Sequence, residues 1–167
     1  MRADALKLSE VFGPSCVDIV YGLSVIEHIP SPCVFLDQVH KVLRPGGLAS
    51  LEGSPIWSSP KGHHVWVAEW GGAYSGKTTV NYLFSPIPGK TSTNQLPDWV
   101  YSSPEINRLT MADIAAVYGH SQLIVLEANA LRSDVPQDVQ VALRQRHGPG
   151  IDYGVASMTC VLAKPLS

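Results

Sequence analysis

The chain of 167 residues fits one domain and is too short for a typical two-domain enzyme, while an apolar content of 45% supplies a core and excludes disorder throughout. Only 16% of residues are charged, and 12 Lys plus Arg against 14 Asp plus Glu leave a formal charge of −2. With no basic stripe to neutralise phosphates, nucleic acid is not an expected partner. Cys16, Cys33 and Cys160 are odd in number and widely spaced, which excludes a disulfide framework and a CxxC motif and fits a reducing cytoplasm. No apolar run is long enough for a membrane span, and Met1 to Glu10 has no signal-peptide core, so a cytoplasmic protein without a membrane partner is expected.

The first half reads as strand, helix, strand. Cys16 to Leu23 is a short β-branched and apolar run, as expected of a strand buried on both faces. A helix is predicted from Pro32 to Leu43, with Ser31 as its N-cap, Pro32 at the first helical position, and Phe35, Leu36, Val39, Val42 and Leu43 on one face. Arg44-Pro45-Gly46-Gly47 stops it, and Leu48 to Glu52 follows as a second strand. This order predicts a right-handed crossover and a parallel sheet.

Gly53 to Asn107 holds all four tryptophans and shows no sustained period of 3.6 or 2. It is read as a lid or substrate-facing insertion within a single domain spanning residues 1–167. Regular patterning resumes at Thr110, which forms a capping-box pattern with Asp113 and opens a short helix through Tyr118. Gln122 to Ala128 is strand-like, Pro136 to His147 fits an exposed helix, Gly148-Pro149-Gly150 a turn, and Val155 to Ala163 a last strand.

In open parallel sheets, ligands bind beyond the carboxyl ends of the strands. That rule selects Gly22-Leu23-Ser24-Val25-Ile26-Glu27-His28 after the first strand, and Gly53 to Trp57 leading to His63 and His64 after the second. Glu27, His28, His63 and His64 would converge at one sheet edge. Glu27 is read as a local cap or pairing group. The three cysteines are read as small core residues, and Lys41 and Arg44 as complements to a helix dipole. Adjacent histidines rarely ligate one ion, so no metal site is expected.

Two runs carry a family likeness: Val17-Asp18-Ile19-Val20-Tyr21 followed by Ser24-Val25-Ile26-Glu27-His28-Ile29, and Phe35-Leu36 followed by Val39-His40-Lys41-Val42-Leu43-Arg44-Pro45-Gly46-Gly47. Together they resemble the fourth strand, the following helix and the Pro-Gly-Gly stop of class I S-adenosylmethionine-dependent methyltransferases. The resemblance implies an α/β fold: a partial Rossmann-like sheet whose strands correspond to the family's fourth, fifth, seventh and sixth, with the long insertion after the fifth. It implies S-adenosylmethionine as cofactor, with Asp4 and Ala5 at its adenine and Gly22, Leu23 and Ser24 beside it. His28, with His63 and His64 from the insertion, becomes the catalytic candidate, and a small-molecule or sugar-like metabolite the acceptor. The family's Gly-rich loop and ribose-binding acid have no counterpart among these residues, so the chain is expected to be the C-terminal part of such a domain. Completion by a missing N-terminal half or by a homodimer is expected, because the apolar strand after Cys16 would otherwise leave an open edge. The rival reading is a non-catalytic module that binds a protein partner through that edge.

Overall fold

In a computed structural model of the protein, the described residues are 3–59, 106–132 and 134–166, the last range without 136, 138, 139, 142, 143, 146 and 147. A 3₁₀ turn, Ala5–Lys7, leads into α1 (Leu8–Phe12) and strand β1 (Val17–Gly22). A second 3₁₀ turn, Ile26–His28, precedes α2 (Pro32–Val42) and β2 (Leu43–Gly53). After the insertion come α3 (Met111–Gly119), β3 (Ile124–Arg132) and β4 (Val155–Ala163). The four strands form one sheet in the order β1-β2-β4-β3. β1 and β2 are parallel, and β4 runs antiparallel to both β2 and β3. This is the order and direction implied by the family likeness.

Local sequence explains the helices. Pro32 occupies the first turn of α2, where its missing N–H costs nothing, although the Ser31 hydroxyl makes no capping bond. Phe35, Leu36, Val39 and Val42 are buried along one face. Gln38 is buried as well, and its Oε1 accepts hydrogen bonds from Ser9 N at 3.0 Å and Ser9 Oγ at 2.8 Å, which ties α1 to α2. At α3 the capping box is complete: Thr110 Oγ1 accepts from Asp113 N, and Asp113 Oδ2 accepts from Thr110 N.

The Pro-Gly-Gly run ends α2 as expected but does not separate it from the next strand. β2 begins at Leu43, and the register with β1 jumps from Val17↔Leu43 to Ile19↔Leu48, so Arg44–Gly47 bulges out of the ladder. Gly47 is needed there: a Cβ would sit 2.9 Å from the Arg44 carbonyl oxygen and 3.1 Å from that of Asp18.

The register sorts the sheet into two faces. Ala49 and Leu51 of β2, with Met158, Cys160 and Leu162 of β4, face one way and are buried against α2 and α3. Ile19 and Tyr21 of β1 belong to the other face with their register partners Leu48 and Ser50. Ile19 is 67% exposed and Tyr21 69% exposed. The expectation that this strand is buried on both faces is therefore corrected. An apolar run reports what a strand can bury, and β1 lies at the sheet edge with its outer face uncovered by any described residue. β3, the other edge, is exposed along its whole length.

Two further expectations change. Cys160 is a core residue, but Cys16 and Cys33 are exposed; Cys16 Sγ donates to the Phe12 and Gly13 carbonyls instead. Lys41 pairs with Asp37 at 2.6 Å, and Arg44 reaches Asp18 at 2.8 Å across the βαβ unit. The helix expected over Pro136 to His147 falls largely outside the described residues.

The one-sided core yields a contrast measurable in urea. Leu51→Ala, at a fully buried position, is expected to cost about 2–5 kcal/mol. Tyr21→Ser is expected to stay within about 0.5 kcal/mol in the monomer. Equal losses would show that the outer face is packed as well.

Candidate functional site

The carboxyl ends of parallel strands β1 and β2 lie side by side, and the chain turns sharply after each. After β1 it passes through Gly22-Leu23-Ser24. A Cβ at Gly22 would lie 2.6 Å from Val25 Cγ1 and 3.2 Å from Leu51 Cδ2, so only glycine fits without displacement. Ser24 takes a left-handed conformation, φ 49°, uncommon for a residue with a Cβ. Val25 N then donates to the Glu52 carbonyl at 3.0 Å, fastening the turn to the end of β2. The following 3₁₀ turn closes with His28 N donating to the Val25 carbonyl at 3.0 Å and Ile29 N to that of Ile26 at 3.2 Å. Ile26, Glu27 and Ile29 are buried, whereas Leu23, Ser24 and His28 face solvent.

The stems of the insertion meet at this turn. On the outgoing side, Ile56 N donates to the Ala156 carbonyl at 2.8 Å, and Ile56 and Trp57 are buried. On the returning side, Asn107 N donates to the Glu27 carbonyl at 2.8 Å. Asn107 Nδ2 donates to the carbonyls of Ile26 at 2.5 Å and Ile29 at 2.8 Å. The next residue, Arg108, places its guanidinium 5.4 Å from the centre of the Trp57 ring, joining the two stems by a cation–π contact. No periodicity or motif pointed to Asn107 as a contact of the histidine-bearing turn; the partners lie about eighty residues apart.

Glu27 departs from its expected role. It is 1% exposed, and neither carboxylate oxygen makes a hydrogen bond of good geometry, although the backbone amides of Glu27 and Ser54 lie near it. Burial pushes its pKa above the ordinary value. The backbone amides of Glu27 and Ser54 and the charge of His28 oppose this, and Glu52 adds to it. The groups nearest the carboxylate are thus local backbone amides, and the turn points the side chain inward rather than to solvent. The Tyr118 hydroxyl of α3 is buried without a partner; burial first, then the nearby Cys160 and Glu27, drive its pKa upward.

Of the expected site residues, Gly22, Leu23, Ser24 and His28 come together at one strand end. Asp4 and Ala5 lie at the head of the 3₁₀ turn beside α2, where Asp4 Oδ1 accepts from Leu6 N at 2.9 Å and Ala5 packs on the core cluster that includes Ile26 and Ile29. His63 and His64 lie outside the described residues, as do three of the four tryptophans. Among the described residues no group of three metal-ligating side chains occurs, and no helix is long and apolar enough to cross a membrane. At the turn after β1, Leu23 and Ser24 present an apolar and a hydroxyl group to solvent, and these are the groups an adenosyl cofactor would meet there.

Residues 1–51 match the family model described as a methyltransferase domain, a stretch that runs from Met1 through β1 and α2 into β2. No curated protein matches the chain. Among solved structures, it is similar to the [4+2]-cyclase SpnF, at 12% identity and TM-score 0.53 over 100% of this chain and 56% of that one. It is also similar to an S-adenosylmethionine-dependent methyltransferase from Mesorhizobium loti, at 18% identity and TM-score 0.52, covering 98% and 68% of the two chains. A third is the geranyl diphosphate C-methyltransferase of Streptomyces coelicolor A3(2), solved with Mg2+, geranyl diphosphate and S-adenosyl-L-homocysteine, at 10% identity and TM-score 0.51, covering 98% and 51%. The chain thus spans roughly half to two thirds of the length of the structures it matches. Its fold is shared with S-adenosylmethionine-dependent methyltransferases, and the family model covers both the Glu-His and the Pro-Gly-Gly runs.

The buried carboxyl makes stability depend on pH with a definite sign. Because the folded-state pKa of Glu27 is raised, the folded chain holds this proton more tightly than the unfolded chain. Its contribution is fully present below the unfolded pKa and is lost as pH rises through the folded value. Glu27→Gln is therefore expected to gain about 1–3 kcal/mol relative to wild type between pH 5 and pH 8, read from urea midpoints. A constant difference across that range would mean that the carboxyl titrates normally.

Proposed function

We propose that this chain forms the acceptor-side part of an S-adenosylmethionine-dependent methyltransferase acting on a small-molecule or sugar-like metabolite. The observation that carries the reading is the conjunction at the end of β1: a glycine-initiated turn open to solvent and an exposed His28, both inside the stretch matched by the methyltransferase family model. Fold likeness alone would not choose the reaction, since one of the structural neighbours is a [4+2]-cyclase.

Bound at this edge, S-adenosylmethionine would supply a methyl group already activated by its sulfonium. What remains for the protein is alignment, exclusion of water and, for a hydroxyl or amine acceptor, removal of a proton. Gly22, Leu23 and Ser24 line the cofactor side, and Asp4 and Ala5 are assigned to the adenine. His28 takes the acceptor proton on its imidazole, held by a turn whose backbone is bonded to β2 and to Asn107. His63 and His64 of the insertion are the other candidate bases. The open edge of β1 and the exposed Ile19 and Tyr21 support completion of the site by a further strand, from a preceding half or from a second copy.

Calorimetric titration of the folded chain with S-adenosylhomocysteine tests the reading. Saturable binding near one site per chain is expected, followed by a His28→Gln variant that keeps this affinity and loses about 10²–10⁴-fold in methyl transfer to a responsive acceptor. A folded chain that binds no cofactor, as monomer or dimer, would end the claim of catalysis by this chain alone.

A further inference from the structure

The proposed base sits on a three-residue turn, and short 3₁₀ segments are poor at holding themselves in place. Within the turn only two backbone bonds close, from His28 N and Ile29 N. The carbonyls of Ile26, Glu27 and Ile29, which flank His28 on both sides, all accept hydrogen bonds from one residue, Asn107. Its side-chain amide spans Ile26 and Ile29, and its backbone N–H takes the carbonyl between them. The clamp is itself braced, because Asn107 Oδ1 accepts from Leu109 N at 3.4 Å and Arg108 lies against Trp57.

We infer that Asn107 is a positioning residue for His28: it fixes the turn that aims the imidazole, and so couples the returning stem of the insertion to the base. The inference rests on the assignment of His28 in the proposed function, but its structural half can be read without any reaction. The chemistry asks for asparagine. Two carbonyl oxygens must be met by one donor group on a short, planar side chain while the opposite oxygen accepts, and the amide is the side chain that supplies both. An aspartate of the same shape would set an oxygen against two carbonyl oxygens. A plain packing residue would tolerate that exchange no worse than truncation.

The test is spectroscopic first and kinetic second. The ring signals of His28 are identified as those missing from His28→Gln and followed in Asn107→Ala and Asn107→Asp. His120, whose Nδ1 lies 2.7 Å from the Ala116 carbonyl at the far end of α3, is the internal reference. Both variants are expected to displace the His28 ring signals, Asp more than Ala, and to leave those of His120 in place. In turnover, kcat is expected to fall roughly tenfold or more with cofactor affinity unchanged within about twofold. His28 signals unmoved in a folded variant would overturn the proposal. Should neither variant fold, the wild-type protein decides: slow solvent exchange of the Asn107 side-chain and backbone amide protons supports the clamp, and exchange as fast as a surface asparagine refutes it. Failure of the functional reading is distinguishable, because His28→Gln would then keep full methyl transfer while the ring signals still responded to Asn107.

Discussion

The burial of one face of a four-stranded sheet beneath its helices is the constraint on which the rest of this structure depends. Ala49, Leu51, Cys160 and Leu162 present a fully enclosed surface to Val39, Leu43 and their neighbours, and each such side chain contributes on the order of 1–3 kcal/mol. Because side chains alternate along a strand, sealing that face fixes the register of β2 against both β1 and β4. The register in turn sets the carboxyl ends of β1 and β2 side by side. The bulge at Arg44–Gly47 is the adjustment that lets a helix pass directly into a strand without losing the alignment.

The opposite face has no such cover among the described residues. Ile19, Tyr21 and Leu48 lie on it, and β1 and β3 are both edges. The chain spans about half to two thirds of the length of its structural neighbours. The strand end that carries the site belongs to the edge strand.

At that end, polar groups are placed against the grain of the core. Glu27 is enclosed with neither oxygen in a hydrogen bond of good geometry and shares its surroundings with the Tyr118 hydroxyl. Such groups weaken a fold unless something compensates them. Glu27 belongs to the turn that Asn107 grips, next to the exposed His28. Ser24, in the left-handed region, and Gly22, where a Cβ would press on Val25 and Leu51, open the same turn. Gly22, Ser24 and Glu27 thus share one short stretch of chain at this strand end.

Much of this was legible in the chain itself. Helical spacing gave α2 and the capping pair gave α3; the apolar runs gave β4 its full extent and β1 its core. The Glu-His and Pro-Gly-Gly runs marked a strand end and a helix stop, and the sheet order followed from the family resemblance that they carry. What single-residue pattern could not give was whatever depends on distant partners. An apolar strand reads the same whether its neighbour is present or not, so the exposure of Ile19 and Tyr21 was hidden. Glu27 reads as a surface acid beside His28, and only the direction of the turn buries it. Asn107 lies in a run, Ile106 to Thr110, that resembles a segment of one subgroup of the family, but its contacts are three carbonyls about eighty residues away, which no local pattern reports. The sequence by itself determined the elements, their order and the strand end where chemistry is placed, since these follow from local periodicity, capping and turn geometry. The tertiary structure alone decided which faces are covered, which acid is buried and which residue holds the histidine, because those follow from contacts that long-range folding creates.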